Sequence, residues 1–461
     1  MEKNMFDYLI KDGLLITEEN NYKAQKVWIG IKDGLIDEIS GREIEDTCAA
    51  EVIDASGCAV MPGMINGHCH GDRAFLMGCG DGLTLSEQNA YYEQTDYLRI
   101  YTSDDDRVLS RRKSYLDALC GGVTFICENM YWGMGLKSVE AFNGCGIRGA
   151  LAEDIRVRFD EPQIFISDDF IKELTDRCRQ ADLVPIFGTL SEEDFDTELL
   201  KRVYAKRDEW GIRSTQHFAE TDWRRDIVLR KYGMRPVEYL YKNGFLSDRL
   251  IGSHCVQVND AEVDMMAESG MHVINTPLCE MKIADGIAPV AKYIHAGVNV
   301  GLGTDGAEWN NSSDLFREMK ATVLIQSAAM NDPGTLSARD VLRMATIGGA
   351  RAFGVDDRIG SIAKGKEADV VILDMNKVYL QPLRDTYKEN VASTVVFNAT
   401  AADVRDVFVK GRIELRDGEP VHVDKERLLS EVNALSCRVL QCAEEAEERG
   451  EIKPAEDFRK K

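Results

Sequence analysis

The stretch NGHCH at residues 66–70 contains two of the seven histidines in this chain of 461 residues. His68 and His70 are two residues apart, and residues at that spacing on a β-strand point to the same side of the strand. Together they can present two imidazole nitrogens to one point, which is how a strand end supplies two ligands to a metal ion. Because the motif is short, a chance pair of surface histidines is the alternative.

Two further stretches place histidines at the ends of apolar runs. In QHFAET, His217 ends such a run and Glu220 follows three residues later, so both side chains could face one cavity. The alternative is a buried histidine with a glutamate that forms a salt bridge on a helix. In GSHCV, His254 lies at a predicted strand end, where a lone histidine can also be a core or rim residue.

An acidic residue at a fourth strand end could complete a metal site. Asp305 ends the strand-like run VNVGLGTD in a glycine-rich turn, although an aspartate there can also serve only as a turn or cap residue. The carboxyl ends of the strands in a parallel barrel open on one face, and imidazole and carboxylate ligands gathered there suit Zn²⁺ or Fe²⁺. The remaining histidines show no such placement, and we expect His272, His295 and His422 to be structural.

The elements that must position these residues follow from the alternation of apolar runs. Between residues 62 and 361, strand-like runs alternate with helical patterns, which is typical of a parallel α/β sheet or barrel. The strand-like runs are GVTFICENM, LVPIFGTL, IRSTQHFAE, LIGSHCV, HVINTP and NVGLGTDG. The length of this region fits a (β/α)8 TIM barrel.

Both chain ends have a different character from the middle. Residues 1–61 and 362–424 contain short β-type runs separated by Gly and Asp-Gly turns, among them ADVVILDM, VASTVVFNA and VRDVFVKGRIEL. We expect the two ends to join into one small β domain. From residue 425 to 461 we expect a helical tail, because Leu428, Val432, Leu435 and Val439 recur at helical spacing.

Composition excludes several classes of function. The net charge of −23 argues against binding to nucleic acid or to an anionic membrane, since both would repel the chain. We see no signal peptide and no membrane span in the sequence, and the twelve cysteines indicate reduced thiols in the cytoplasm. The absence of a paired Cys motif also argues against a cytidine-type zinc deaminase.

Longer stretches resemble one enzyme family. The motifs are MPGMINGHCH, HFAE, GSHC, ADGIAPVAKYIHAGVNVGLGTDGAEWNNSSDLFREMK and GSIAKGKEADVVILD, which span most of the chain. They are similar to the amidohydrolase superfamily, in its branch of aromatic-amine deaminases and chlorohydrolases. That branch includes the methylthioadenosine/S-adenosylhomocysteine deaminases, guanine and 8-oxoguanine deaminases and triazine hydrolases. The resemblance implies a distorted (β/α)8 barrel with a β-sandwich built from both chain ends and one divalent metal, zinc or iron. We also expect a homo-oligomer that is a dimer or larger.

The resemblance also implies roles for six residues. His68, His70, His217 and Asp305 would bind the metal. Glu220 would shuttle protons, and His254 would hold or polarise the attacking water or the developing oxyanion.

The expected reaction is hydrolytic deamination of an aminated heteroaromatic ring, of purine, pterin, pyrimidine or triazine type. Zinc lowers the pKa of bound water from about 15.7 to about 7, so that hydroxide on the metal can attack the ring carbon that carries the amine. Asp305 can accept the water proton, and Glu220 can protonate a ring nitrogen and then the leaving amine. The alternatives are a chlorohydrolase or cyclic-amide hydrolase of the same superfamily, or a scaffold barrel without activity.

The pocket for a small heterocyclic substrate should be built by the loops that follow the strands. One position departs from the family, because Cys279 and Glu280 stand where Ser and Asn are usual. Glu280 could face a substrate NH or amidine group, or it could be a surface carboxylate. The other candidate substrate-binding residues are Asp72, Arg73, Trp132, Glu153, Trp223 and Trp309.

Overall fold

A computed structural model of the chain describes residues 5–95, 99–129, 134–158 and 161–459. The chain begins with five strands of one sheet. These strands, β1 to β5, cover Phe6–Leu15, Gln25–Lys32, Leu35–Ser40, Ala49–Asp54 and Cys58–Pro62. The strand β1 pairs with β4 along its first half and with β5 along its second half, both in parallel.

The next strands form a closed parallel barrel. Its eight members, β6 to β8 and β11 to β15, cover Met64–His70, Val123–Asn129, Arg148–Asp154, Leu183–Leu190, Arg213–Phe218, Leu250–His254, His272–Asn275 and Asn299–Leu302. They follow one another in chain order, and β15 pairs with β6 to close the ring. A short hairpin, β9 (Arg156–Arg158) and β10 (Glu161–Phe165), follows β8. The two-residue strand β16 (Asp305–Gly306) continues the eighth strand and pairs with Cys69 and His70.

Helices cover the outside of the barrel and the loops at its carboxyl face. The helices α1 to α7 cover Leu85–Glu93, Asp104–Cys120, Lys137–Glu140, Asp168–Gln180, Thr197–Glu209, Asp222–Tyr232 and Pro236–Lys242. The helices α8 to α14 cover Asp260–Ser269, Pro277–Lys282, Val290–Ala296, Ala307–Asn310, Leu315–Met330, Ala338–Arg343 and Gly349–Phe353. A π-helical turn over Met344–Gly348 joins the last two.

The chain end returns to the first sheet. The strands β17 to β20 cover Val370–Asp374, Val404–Val409, Arg412–Arg416 and Glu419–Pro420, and β17 pairs with β5. The nine strands form one sheet that folds over on itself. The rings of Tyr8 on β1 and Phe408 on β18 lie 5.3 Å apart, although two strands separate β1 from β18 in the sheet. The expectation of an α/β barrel with a small β structure built from both chain ends is therefore confirmed.

Two local predictions from the sequence need correction. The run VASTVVFNA, predicted as a strand, is the helix α15 (Val391–Asn398), which packs on α12 and α13. Its β-branched residues fit a strand by propensity, but burial of Val391, Val395 and Val396 against the barrel helices decides the conformation. The third barrel strand, β8, was missing from the predicted runs, because it starts with Arg148 and continues through small residues.

The last element is the long helix α16 (Lys425–Glu448), which packs on α2 and on the turn Gly71–Leu76. Its buried residues recur at helical spacing and include Leu428, Val432, Leu435 and Val439. All twelve cysteines are free thiols. None of the described helices combines the length and the apolar character that crossing a bilayer requires.

Candidate metal centre and active site

Two histidines and one aspartate meet at the carboxyl end of the first and eighth barrel strands. His68 and His70 are the fifth and last residues of β6, and Asp305 begins β16 beside them. The Asp305 Oδ1 atom lies 3.5 Å from His68 Nε2 and 3.3 Å from His70 Nε2. These side chains are buried, so the three groups converge away from bulk solvent.

The fifth and sixth strands bring two more histidines to the same point. His217 near the end of β12 places Nε2 3.2 Å from His70 Nε2. His254 ends β13, and its ring lies 5.2 Å from the ring of His68 and 5.6 Å from that of His217. The four imidazoles and Asp305 thus form one cluster. Two sets of three ligands within it are close enough to bind a metal ion, and both include His68: one adds His217 and His254, and the other adds His70 and Asp305.

Hydrogen bonds from other strands of the barrel orient two of these rings. His70 Nδ1 lies 2.9 Å from the carbonyl oxygen of Asn129 at the end of β7. A carbonyl only accepts, so this nitrogen carries the proton and His70 Nε2 offers a lone pair to the centre. His68 Nδ1 is paired with Ser253 Oγ at 2.8 Å. Burial lowers the pKa of His70 to about 4, which keeps the ring neutral and able to bind a metal.

A metal ion fits this group of side chains. His68 Nε2, His254 Nε2 and Asp305 Oδ1 are buried and have no hydrogen-bond partner among the described residues. Buried polar atoms are expensive to leave without partners, and these three face the same small volume as the lone pair of His70. Neutral imidazoles with one carboxylate are a donor set that suits zinc and also iron.

The backbone is strained where the strands deliver these residues. Positive φ angles occur at Ala219 (46°), His254 (72°), Cys255 (52°) and Asp305 (61°). A residue other than glycine in this region costs of order 1–3 kcal/mol, and such residues concentrate at functional sites. Here the strain turns the chain at the ends of β12 and β13 and at the start of β16, where the cluster forms.

Glu220 lies beside the cluster and faces a buried cation. Its carboxylate forms an ion pair with Arg224, one turn later along the chain, and Arg224 Nε also bonds Glu193 Oε1 at 3.0 Å. Glu220 Oε1 is 3.7 Å from His254 Nε2. Burial, opposed by the charge of Arg224, raises the pKa of Glu220 to about 7. A carboxyl group with that pKa can both donate and accept protons near neutral pH.

Two cavities open over the cluster. The inner one is lined by Leu85, Asn89, His217, Glu220, Arg224, Asp305 and Trp309. The outer one has a volume of about 940 Å³, and Leu85 at the start of α1 lines both. Trp223 and Asp285 line the outer cavity, and Arg459 near the chain end reaches it as well. The inner cavity has a volume of about 10 Å³, which is the room of one water molecule, and it lies against His217, Glu220 and Asp305.

The candidate substrate-binding residues are distributed unevenly around these cavities. Trp309 lines the inner cavity and lies edge-on to the His70 ring at 5.2 Å, while Trp223 lines the outer cavity. Trp132 falls outside the described residues. Of the aromatic residues predicted for the pocket, Trp309 and Trp223 therefore each line one of the two cavities.

Three charged candidates are engaged elsewhere. Asp72 is buried between Arg107 (3.1 Å) and Arg111 (3.6 Å). Arg73 pairs with Glu308 at 2.6 Å and stacks on Trp309 at 5.1 Å, which supports that wall of the inner cavity. Glu153 accepts a hydrogen bond from Ser138 at 2.9 Å. Asp72, Arg73 and Glu153 are not among the described residues that line either cavity.

The two residues that depart from the family pattern lie directly beneath the cluster. Glu280 is 2% exposed, which excludes a surface carboxylate, and it accepts hydrogen bonds from Asn275 and Thr276. Cys279 is fully buried, and its Sγ lies 2.8 Å from Asp305 Oδ2. Both residues contact the groups that surround the centre from the side of β14.

Several neighbours of the centre gave no signal in the sequence. Arg224 could have been inferred, since a basic residue four positions after Glu220 on a helix is a common ion-pair partner. Asn129, Ser253 and Thr276 carry no such signal, because they contact histidines on other strands. Their positions depend on strand order and register.

Known proteins resemble this chain over nearly its whole length. The amidohydrolase family profile matches residues 59–413. A 5'-deoxyadenosine deaminase of Methanothermobacter thermautotrophicus is 35% identical over 87% of this chain and 92% of its own length. A 5-methylthioadenosine/S-adenosylhomocysteine deaminase of Syntrophobacter fumaroxidans is 30% identical over 95% of this chain and 99% of its own length.

A solved structure has the same architecture. The adenosine deaminase of Xanthomonas campestris, crystallised with bound zinc, superposes with a TM-score of 0.84 and is 26% identical over 95% of this chain and 99% of its own. The profile match covers the barrel strands and the histidine cluster at their carboxyl ends. The resemblance inferred from the motifs is therefore confirmed, and the chain belongs to the amidohydrolase family.

Proposed function

We propose that this protein is a metal-dependent hydrolytic deaminase that releases ammonia from an aminated heteroaromatic ring, with adenosine-type purines as the first substrates to test. The observation that carries the proposal is Glu220, a buried carboxyl group with a pKa of about 7 beside a cluster of four histidines and an aspartate. The curated relatives support the same chemistry, since they are named deaminases of adenosine-type compounds.

The proposed metal ligands are His68, His70, His217 and Asp305. Zinc is the first choice and iron the alternative, because both accept imidazole and carboxylate ligands. When bound, the metal would supply the Lewis acidity that makes water nucleophilic near neutral pH. His254 then remains free of ligation, with Nε2 directed at the space between the cluster and Glu220.

The remaining steps belong to the side chains. Asp305 accepts a proton from the attacking water, and the water oxygen bonds to the ring carbon that carries the amine. Glu220, protonated at the start, donates to the adjacent ring nitrogen, which accepts the electron pair displaced by the attack. Glu220, now a carboxylate, takes the proton of the added hydroxyl and passes it to the amine. The carbon–nitrogen bond breaks, ammonia leaves, and the ring retains the oxygen. The proton held by Asp305 then returns to Glu220.

The outer cavity, of about 940 Å³, has room for a flat ring with a sugar or another group attached. The inner cavity, of about 10 Å³, has room for one water molecule, and Trp309 forms the part of its wall next to His70. We propose that the reacting carbon lies on the side of Glu220 and the substituent on the side of Trp223.

The test is a screen for ammonia release by the zinc-loaded protein. Adenosine, 5'-deoxyadenosine and other aminated purines are compared with aminated pterins, pyrimidines and triazines, and each triazine is also supplied in its chlorinated form. We expect ammonia from a purine and no chloride. Chloride without ammonia would replace deamination by dechlorination, and a zinc-loaded protein that releases neither from any compound would refute the proposal.

A further inference from the structure

Behind His254, away from the cavity, two residues form a short hydrogen-bonded chain. His254 Nδ1 lies 2.9 Å from Thr276 Oγ1, which in turn lies 3.3 Å from Glu280 Oε1. All three side chains are almost completely buried. On its other side, His254 Nε2 faces Glu220 Oε1 at 3.7 Å and has no hydrogen-bond partner in the part of the chain that the structure describes. The series of hydrogen bonds from Glu280 through Thr276 therefore ends at His254, whose Nε2 atom is directed into the active site.

The direction of each hydrogen bond follows from the partners of Glu280. Its two oxygens lie 2.9 and 2.8 Å from the amide nitrogen of Asn275, and Oε1 lies 3.0 Å from the backbone nitrogen of Thr276. An amide NH2 group and a backbone N–H only donate. Glu280 Oε1 is therefore an acceptor toward its surroundings, and the Thr276 hydroxyl, which has one proton, donates that proton to it.

This arrangement determines the tautomer of His254. If the Thr276 hydroxyl donates its proton to Glu280, the Thr276 oxygen can only accept a hydrogen bond from His254. His254 Nδ1 must therefore carry a proton. In the opposite arrangement the Thr276 hydroxyl would donate to an unprotonated His254 Nδ1. The lone pairs of the Thr276 oxygen would then face Glu280 Oε1 at 3.3 Å, and Nδ1 would lie 3.9 Å from the same oxygen without a proton. Buried acceptors that face one another lose the hydrogen bond and keep the desolvation cost.

The result does not depend on the ionisation of Glu280. Burial raises the pKa of Glu280 to about 8, although the hydrogen bonds from Thr276 and Asn275 act in the opposite direction. In the ionised form both oxygens accept. In the neutral acid the carbonyl oxygen still accepts, and Oε1, which faces Asn275 and two donors of Thr276, is the oxygen that must do so.

We infer that Thr276 and Glu280 are positioning residues that hold His254 as the Nδ1–H tautomer, so that its bare Nε2 accepts a hydrogen bond from the attacking water. The role of the water rests on the proposed function, whereas the tautomer does not. Of the two roles open to His254, this arrangement favours orienting the nucleophile over donating a hydrogen bond to an oxyanion. It also assigns a role to Glu280, which stands where the family usually has asparagine.

The tautomer can be measured directly. In ¹⁵N-labelled, zinc-loaded protein, long-range ¹H–¹⁵N spectra of the histidine side chains distinguish a protonated ring nitrogen from a bare one, and His254→Gln identifies the signals of His254. We expect Nδ1 protonated and Nε2 bare in the wild type and in Thr276→Ser, which keeps the hydroxyl. In Thr276→Val, which keeps the shape and removes the hydroxyl, we expect the proton to move partly or fully to Nε2.

A matched control tests whether any buried carboxylate would have this effect. Glu318 is fully buried and accepts a hydrogen bond from Leu278 N (3.1 Å) in α9, the helix that also contains Glu280. The interactions described for Glu318 do not include His254. Glu318→Gln should leave the His254 signals unchanged. A change as large as that of Thr276→Val would mean that the spectrum reports general disturbance of α9.

Kinetics then test the catalytic part. Loss of an outer hydrogen bond to a metal-binding histidine typically costs roughly 10–100-fold in metal affinity or activity. By analogy we expect Thr276→Val to lower kcat by roughly 10–100-fold with KM and bound zinc nearly unchanged, and Thr276→Ser to restore most of it. A wild-type His254 that is protonated at Nε2 would overturn the proposed tautomer, whatever the activity. An unchanged kcat in Thr276→Val with a shifted tautomer would overturn the catalytic part alone. If Thr276→Val does not fold, the wild-type spectrum still decides the tautomer.

Discussion

Replacement of Glu220 by glutamine tests the proton-transfer role with a minimal change of shape. Glutamine keeps the size of the side chain and an acceptor oxygen, and its amide cannot donate and accept a proton in turn. Glu220 is 2% exposed and lines the inner cavity. If the residue only braced the start of α6, this substitution would cost little, so the two roles predict different outcomes.

The expected loss follows from the position of Glu220. Positioned general acids and bases contribute roughly 10²–10⁴-fold to rate, which corresponds to about 3–5 kcal/mol at 1.36 kcal/mol per tenfold. The group is buried, has a pKa of about 7 and lies 3.7 Å from His254, and each of these features favours an efficient proton shuttle. We therefore expect kcat of Glu220→Gln to fall by at least about a hundredfold.

Stability needs a separate control, because Arg224 loses a partner. After the substitution Arg224 still bonds Glu193 Oε1 at 3.0 Å. The matched variant Glu193→Gln removes the other carboxylate of Arg224, which lies outside the inner cavity and is one-third exposed. It should keep turnover within a few-fold of the wild type, so that a loss specific to Glu220→Gln cannot be assigned to the ion pair alone.

The assay measures turnover of the best substrate, bound zinc and the unfolding midpoint on the same preparations. Collapsed turnover with normal zinc and a normal midpoint supports the shuttle. Near-normal turnover of Glu220→Gln would remove Glu220 from the mechanism. Loss of zinc together with turnover would instead make Glu220 a ligand or a structural support of the centre.

Three further predictions concern the centre and its support. His68→Ala should lose most of the bound zinc in elemental analysis, because it removes one of the converging nitrogens; full retention would exclude His68 as a ligand. Arg224→Met should raise the pKa of Glu220, since it removes the charge that favours the carboxylate, and should move the alkaline limb of kcat/KM to higher pH; a shift to lower pH would contradict this. Arg111→Met should destabilise the fold by roughly 3–5 kcal/mol in denaturant unfolding, since it leaves Glu128, which it contacts at 3.1 Å, buried without its cation; a loss below about 1 kcal/mol would contradict the pairing.

The barrel could be predicted from the sequence because its strands are buried on both faces. Such strands are largely apolar runs that end in polar residues, as in β7 and β13. The strand β8 gives no such run, since it starts with Arg148, which pairs with Asp369 just before β17, and continues through small residues. The helix α15 was misassigned because packing on neighbouring helices outweighs the β propensity of its valines.

The convergence of the histidines could be expected from strand ends alone, but their surroundings could not. A parallel barrel brings every strand end to one face whatever the register. The contacts of Asn129 with His70, Ser253 with His68 and Thr276 with His254 join different strands. Each depends on the relative positions of different barrel strands, which no local pattern encodes. The same holds for the placement of Glu280, whose burial beneath His254 is a property of the tertiary structure.

The central claim is that water replaces an amine on an aromatic ring at this centre. The most direct measurement is deamination of the best purine by zinc-loaded protein in ¹⁸O-labelled water, with ammonia and product followed together. We predict one labelled oxygen in the deaminated purine for each ammonia released. We predict neither ammonia nor deaminated purine from the protein stripped of metal. Ammonia without incorporated label, or equal rates before and after metal removal, would contradict the account.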